Sequence, residues 1–189
     1  MNIVAYGGGL NSTAMIVGLL SRGVEIELIL FADTGGEKPH TYEYIEMFSE
    51  WIKKNGHDKG IIKVRKAGNN ETLKENCLRK NMLPSVAYGF KSCSQKFKIQ
   101  PQDKYLNNYE PAKATWKGGE KIVKFIGYDA DEHHRAKYHV LDKYELKFPL
   151  IEWDDGREEC KEIIKEAGLP VPGKSACFFC PSSRASEIR

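Results

Sequence analysis

The segment Ile3-Val4-Ala5-Tyr6-Gly7-Gly8-Gly9-Leu10-Asn11-Ser12-Thr13-Ala14-Met15 decides the fold. Ile3 to Tyr6 is a short β-branched and aromatic run, and three glycines break it. Ser12 to Ser21 then places Ala14, Met15, Val17, Gly18 and Leu19 where a buried helix needs them. The order is strand, glycine turn, helix, and it repeats. Glu25 to Ala32 resumes strand character and ends at Asp33-Thr34-Gly35-Gly36, after which Thr41, Tyr44, Ile45, Phe48, Trp51 and Ile52 recur at helical spacing. Ile61-Ile62-Lys63-Val64 supplies a third strand, and Ile122-Val123-Lys124-Phe125-Ile126 a further one, ending at Gly127. Alternating strands and helices imply right-handed crossovers, with ligands at the C-terminal ends of the strands. The expected fold is α/β: a single doubly wound, mostly parallel sheet with helices on both faces, followed by a cysteine-containing C-terminal segment.

Outward from that core the pattern is less regular. Asn107 to Glu120 lacks clear periodicity and reads as a surface excursion. A helix is expected from about Asp154 to Ala167, with acidic residues at its start, an apolar face of Cys160, Ile163, Ile164 and Ala167, and Gly168 and Pro170 as its stop. Ser186 to Arg189 resembles the opening of another helix, as though the natural chain continued. A length of 189 residues suits one domain. It divides into a nucleotide-binding type of α/β core over 1–150 and a C-terminal helix with a C-x-x-C segment over 151–189.

Composition narrows the class. A chain this long buries about 70% of its unfolded surface, so none of the five cysteines is needed as a staple. The apolar stretch Ala14 to Leu20 is far short of the ~20 residues of a membrane span, and no basic-then-apolar leader opens the chain. The cytosol is the expected compartment, where thiols serve as metal, cluster or catalytic groups rather than disulfides. Asn11-Ser12-Thr13 and Asn70-Glu71-Thr72 are then chance glycosylation matches. A net charge of +3 is too mild to imply nucleic-acid binding by itself.

Gly7 to Thr13 has the chemistry of an anion site. Free amides and the helix dipole converge there, glycines let phosphate approach, and Ser12 and Thr13 offer hydroxyls. An ordinary turn capped by Asn11 or Ser12 would not need three glycines. A formal Walker A match, Gly168 to Ser175, lacks the required strand before it and carries two prolines, so it is set aside.

With these residues in hand, the chain resembles the PP-loop ATP pyrophosphatases, in the variant of the adenine nucleotide α-hydrolase-like and phosphoadenosine phosphosulfate (PAPS) reductase-like proteins. Gly8-Gly9-Leu10-Asn11-Ser12-Thr13 is similar to their S-G-G-x-D-S/T loop, with Gly7 in the place of the serine and Asn11 in that of the aspartate. Phe31-Ala32-Asp33-Thr34-Gly35 resembles the D-T-G segment that borders the nucleotide. Gly127-Tyr128-Asp129-Ala130-Asp131-Glu132-His133-His134-Arg135 resembles G-x-R-x-x-E-S-x-x-R, through Gly127, Glu132 and Arg135. The resemblance implies that Gly7, Gly8, Gly9, Asn11, Ser12, Thr13, Asp33, Thr34, Gly35, Gly127 and Glu132 bind ATP, or PAPS or adenylyl sulfate, with Mg²⁺. Arg135 would hold phosphate or sulfate bidentately, or else form a surface ion pair with Glu132 or Asp131. His133 and His134 read as solvent-facing.

Cys177-Phe178-Phe179-Cys180 alone fits a zinc half-site, part of an iron–sulfur site or a redox pair. Lys91 to Pro101 resembles the C-C-x-x-R-K-x-x-P segment that joins such a pair in 4Fe-4S adenylyl-sulfate reductases, with Ser94 replacing the second cysteine. The implied ligands are Cys93, Cys177 and Cys180. Cys160 either completes the set or is a core thiol, and in the latter case the fourth site stays open. Cys77 belongs to no motif and reads as a packing thiol. Lys96 and Lys98 would compensate cluster charge or bind phosphate, or form a solvated basic face; Phe178 and Phe179 would keep water away.

The leading expectation is an enzyme that adenylates an acceptor, a nucleic acid or small molecule, with pyrophosphate release and then sulfur transfer from a donor. Lys98 and Arg135 are its catalytic candidates. The alternatives are reduction of PAPS or adenylyl sulfate, ranked lower because no E-C-G-x-H-type tail precedes Arg189, and a non-catalytic nucleotide- or nucleic-acid-binding module with structural Zn²⁺.

Overall fold

The computed structural model describes residues 1–66, 71–84, 92–136 and 141–183. Asn70, Lys91 and the helix expected at Ser186–Arg189 lie outside them. Among the described residues five strands form one sheet: β1 (Asn2–Tyr6), β2 (Leu28–Ala32), β3 (Ile61–Val64), β4 (Ile122–Ile126) and β5 (Tyr144–Lys147). Their order is β3-β2-β1-β4-β5 and every pairing is parallel. The order reverses direction at β1, between β2 and β4, which is where a doubly wound sheet opens its ligand crevice.

Two helical layers cover the sheet, and the period of two along the strands decides which residue meets which. Val4, Tyr6, Ile29, Phe31 and Phe125 face α1 (Leu10–Ser21), α2 (Pro39–Lys54), α7 (Pro149–Glu152) and α8 (Arg157–Glu166) in the larger core. Ile3, Leu28, Leu30, Ala32, Val64 and Ile122 face the other way, onto Leu106 and Ala112 of α5 (Gln100–Asn107) and α6 (Glu110–Lys117). Burial on both faces is why β2 reads as a continuous apolar run.

The Asn107–Glu120 stretch is corrected by α6. Pro111 sits in its first turn, where a missing amide costs nothing, and Trp116 donates Nε1–H to the Lys143 carbonyl at 3.0 Å. The C-terminal helix starts at Arg157 rather than near Asp154, because Asp154 takes a positive φ of 58° and Gly156 is the N-cap. A third, small apolar cluster includes Leu73 of α3 (Leu73–Lys80), Cys93 of α4 (Ser92–Ser94) and Phe97 of a π-helical turn over Gln95–Ile99. No helix among the described residues is long and apolar enough to cross a membrane.

Candidate nucleotide site and thiol cluster

The glycine turn after β1 packs as tightly as its sequence suggests. Gly8 takes a φ of +73°, and a Cβ there would stand 3.1 Å from Thr41 and 3.3 Å from Ile45. Gly9 is the N-cap of α1, and no side chain caps that helix. Ser12 Oγ accepts from the Gly7 amide at 3.2 Å and donates to the Gly9 carbonyl at 3.1 Å. Thr13 is fully buried and donates to the same carbonyl at 2.9 Å. These hydroxyls shape the loop. The uncapped start of α1 remains as the electropositive feature.

Asn11 points across to the loop after β4. Its amide donates to Asp129 Oδ2 at 2.8 Å and to Glu132 Oε2 at 3.2 Å. Asp129 caps the short 3-10 turn Ala130–Arg135, and burial, followed by the Glu132 charge, raises its carboxyl above the ordinary value. Arg135 pairs with Glu132 and lies over the Tyr128 ring at 4.4 Å. It is bound to its neighbours in the way the ion-pair alternative foresaw. His133 and His134 are exposed. Gly127 presses on α1: a Cβ there would lie 2.7 Å from Ser12 Cα.

On the other side of the crevice, Asp33 is enclosed. Its Oδ1 accepts from the Gly35 amide at 2.8 Å and the Tyr42 hydroxyl at 2.7 Å, and its Oδ2 accepts from both Arg65 Nε at 2.9 Å and Nη2 at 2.6 Å. Burial alone would raise this carboxyl, but the Tyr42, Gly35 and Arg65 donors outweigh it and hold Asp33 below its usual range. Thr34 donates to Glu37 Oε1 at 3.2 Å and sits 3.3 Å from Cys177 Sγ. Gly35 has a φ of +70° and backs onto Thr72.

The C-terminal segment lies along this loop. Glu37 and Cys177 form an antiparallel bridge, Lys38 N–H donates to the Ala176 carbonyl at 3.2 Å, and Phe178 N–H donates to the Gly36 carbonyl at 2.9 Å. Ser175, from the discarded Walker-type match, reaches the glycine turn: its Oγ would be 2.6 Å from a Cβ on Gly9. Sequence gave no sign that these residues meet.

The thiols divide differently from the expected set. Cys160 is fully buried in the larger core beside Ile164, where burial and the Asp129, Asp155 and Glu159 carboxylates push its thiol up to about 12. The structure does not bring it to the other three. Cys77 does reach them: with Cys93, Cys177 and Cys180 it packs among Leu73, Phe97 and Phe179. Burial, then the Glu37 carboxylate, push Cys177 up to about 11. Lys98 Nζ is 3.4 Å from Glu37 Oε1, while Glu37 Oε2 is buried without a partner among the described residues. Lys96 is exposed. Phe179 closes the cluster but Phe178 is 54% exposed, so only one of the pair shields the thiols. No three His, Cys, Asp or Glu side chains among the described residues stand together as a ready single-ion site.

Comparison with known proteins adds two findings. A family model described as the phosphoadenosine phosphosulfate reductase domain matches residues 1–172. An uncharacterized protein of Methanocaldococcus jannaschii is 25% identical over 178 residues, covering 94% of this chain and 59% of that protein. The chain thus spans about three-fifths of the length of this relative.

Proposed function

The chain belongs to the phosphoadenosine phosphosulfate reductase domain family, and on that premise we propose that it binds ATP across the glycine turn and adenylates an acceptor, with sulfur transfer as the second half of the reaction. The observation that carries this reading is the uncapped start of α1, opened by Gly7 to Gly9 at the sheet's reversal point. Backbone amides there would take the triphosphate. The adenosine would lie toward the Asp33–Gly35 loop, whose carboxylate is committed to Arg65 and Tyr42 and so fixes the loop's shape rather than offering a free contact.

In the chemical step an acceptor oxygen attacks the α-phosphorus, the bond to the bridging oxygen breaks, and pyrophosphate leaves. Ser175 beside Gly9 would supply a hydroxyl, and Arg135 is joined to the turn through Glu132, which also accepts from Asn11. Mg²⁺ supplies charge neutralisation when it enters with the phosphates. Asp129 and Glu132 are the carboxylates at hand to hold it, and Asn11 at present bridges both.

The four thiols fit a soft metal or cluster by their chemistry: sulfur donors walled by Leu73, Phe97 and Phe179. Such a group would supply redox or sulfur-carrying chemistry, and Lys98 at Glu37 links this region to the nucleotide loop. Reduction of an adenylyl-sulfate-type substrate is the second reading, favoured by the reductase domain to which the chain belongs. Release of pyrophosphate from ATP tests the first. The paired change Gly8→Asp and Gly9→Asp is expected to abolish it, and turnover that survives in this variant would remove the nucleotide from the turn.

A further inference from the structure

We propose that the groove between the edge strand β3 and helix α5 holds a single-stranded segment of a nucleic-acid acceptor, with bases against Tyr105 and Tyr109 and phosphates on Lys63, Arg65 and Lys104. The inference rests on the proposed adenylation only in naming the acceptor; the groove stands on its own residues.

The cavity there is about 390 Å³, and Lys63, Arg65, Lys104, Tyr105 and Tyr109 are in its wall, with no carboxylate among its lining residues. Its aromatic part is a stacked pair. Tyr105 of α5 and Tyr109, the N-cap of α6, have ring centroids 6.0 Å apart at 23°. Both rings are half-buried, resting on the apolar cluster between the sheet and α5–α6. The Tyr109 hydroxyl donates to Glu27 Oε1 at 2.5 Å, which fixes that ring. A ring held in this way loses little freedom when a base stacks on it, and every base has a face to offer.

Cations follow the strand. Lys59 precedes β3, Lys63 lies on it and Arg65 follows it, so the three are strung along up to roughly 20 Å of extended chain, against ~3.4 Å between stacked nucleotides of one strand. A run of that length serves a strand rather than a mononucleotide. Lys59 and Lys63 pair with Glu27 and Glu46, whose side chains are 37% and 68% exposed. Such pairs contribute little and exchange readily for phosphate. Arg65 gives Nε and Nη2 to buried Asp33 yet is itself 57% exposed, and this bond ties the groove to the loop proposed to border the nucleotide. Lys104 is exposed and forms no ion pair among the described residues.

The edge of the sheet adds polar groups. Successive peptide groups of a strand point to opposite sides, and the Val64 carbonyl accepts from the Asp33 amide on the β2 side. The Lys63 peptide groups therefore turn away from β2, as the Ile61 amide does in donating to Ser49 Oγ at 2.9 Å. They present a donor and an acceptor to a base edge. The rival occupant is a second copy of this chain paired edge to edge, which a four-residue strand carrying an exposed lysine disfavours.

The test is fluorescence anisotropy of a labelled single strand of about 12 nucleotides, without ATP, at about 50 and about 200 mM salt. Three phosphate contacts give a salt slope of about −2, so affinity is expected to be roughly 20-fold higher at the lower salt. Lys104→Glu is expected to weaken binding about fivefold or more and to flatten the slope. Tyr105→Leu keeps an apolar group against the sheet but removes the stacking ring, and is expected to lose about tenfold. Far-UV circular dichroism reports the fold of each; should Tyr105→Leu not fold, Lys104→Glu, changed at an exposed side chain, decides alone. No measurable binding of the strand, wild-type affinity in either folded variant, or a duplex bound as tightly as the single strand overturns the proposal. So does a dimer in sedimentation that excludes the strand. Pyrophosphate release from ATP on the same samples separates the two readings. Strand binding without release removes the adenylation reading and leaves the groove; release without strand binding does the reverse.

Discussion

Asn11 shows how one side chain sets the character of the crevice. Its amide lies between two carboxylates that would otherwise repel, and Asp129 is already raised by burial and by Glu132. Asn11→Asp, which restores the residue the family loop carries, would set a third carboxylate against them. It is expected to cost about 1–2 kcal/mol, a fall of roughly 2–8 °C in melting temperature, and Mg²⁺ is expected to recover most of the loss. Thermal melts with and without the ion check this. Asp33 predicts a pH dependence. Its folded pKa is depressed, so its contribution is present above the ordinary carboxylate value of about 3.9 and is lost as pH falls through the lower, folded value. Asp33→Asn should cost about 2 kcal/mol at neutral pH. The gap between the two proteins should close on acidification, and denaturant melts across that range would show a constant gap if Asp33 made no such contribution.

At the scale of elements, the close approach of β4 to α1 depends on Gly127. A Cβ would meet the Ser12 backbone at 2.7–2.9 Å, and backbone cannot swing aside as a long side chain can. Gly127→Ala is therefore expected to destabilise by about 2 kcal/mol through overpacking and to weaken nucleotide binding by displacing the glycine turn. Chemical denaturation and nucleotide titration read the two effects separately. Strands β1 to β4 and helices α1, α2 and α8 were legible because their residues follow a clear strand or helix pattern. The short helices and β5 were not. α6 has eight residues and an early proline, which a reading by pattern takes as a break although the first helical turn tolerates it. α3 carried a usable signal, since Thr72 and Glu75 form a reciprocal capping box, but its apolar face is a single buried Leu73. β5 is an edge strand of four residues with no fully buried side chain, so its alternation is weak.

Across the whole molecule, the C-terminal strip joins two regions that the sheet alone would leave apart. Ser175 meets the glycine turn while Cys177 and Cys180 meet the thiols of α3 and α4. Neither large core contains a residue beyond Leu169. A chain ending at Leu169 is therefore expected to fold, with a cooperative melt and retained near-UV circular dichroism, but to lose whatever metal the thiols hold. A molten or aggregated product would show that the strip belongs to the core's stability. Period and turn chemistry act over a few residues, and so the sequence by itself determined the parallel α/β sheet, the glycine turn, the D-T-G loop and the family resemblance. Which thiols meet is a different kind of question. Cys77 lies 100 positions from Cys177 and in no motif, while Cys160, close in sequence to the C-x-x-C, turns inward on α8. Only the tertiary structure decided that choice, because it depends on how α3 and the C-terminal strip dock on one loop, through backbone hydrogen bonds between segments far apart in the chain.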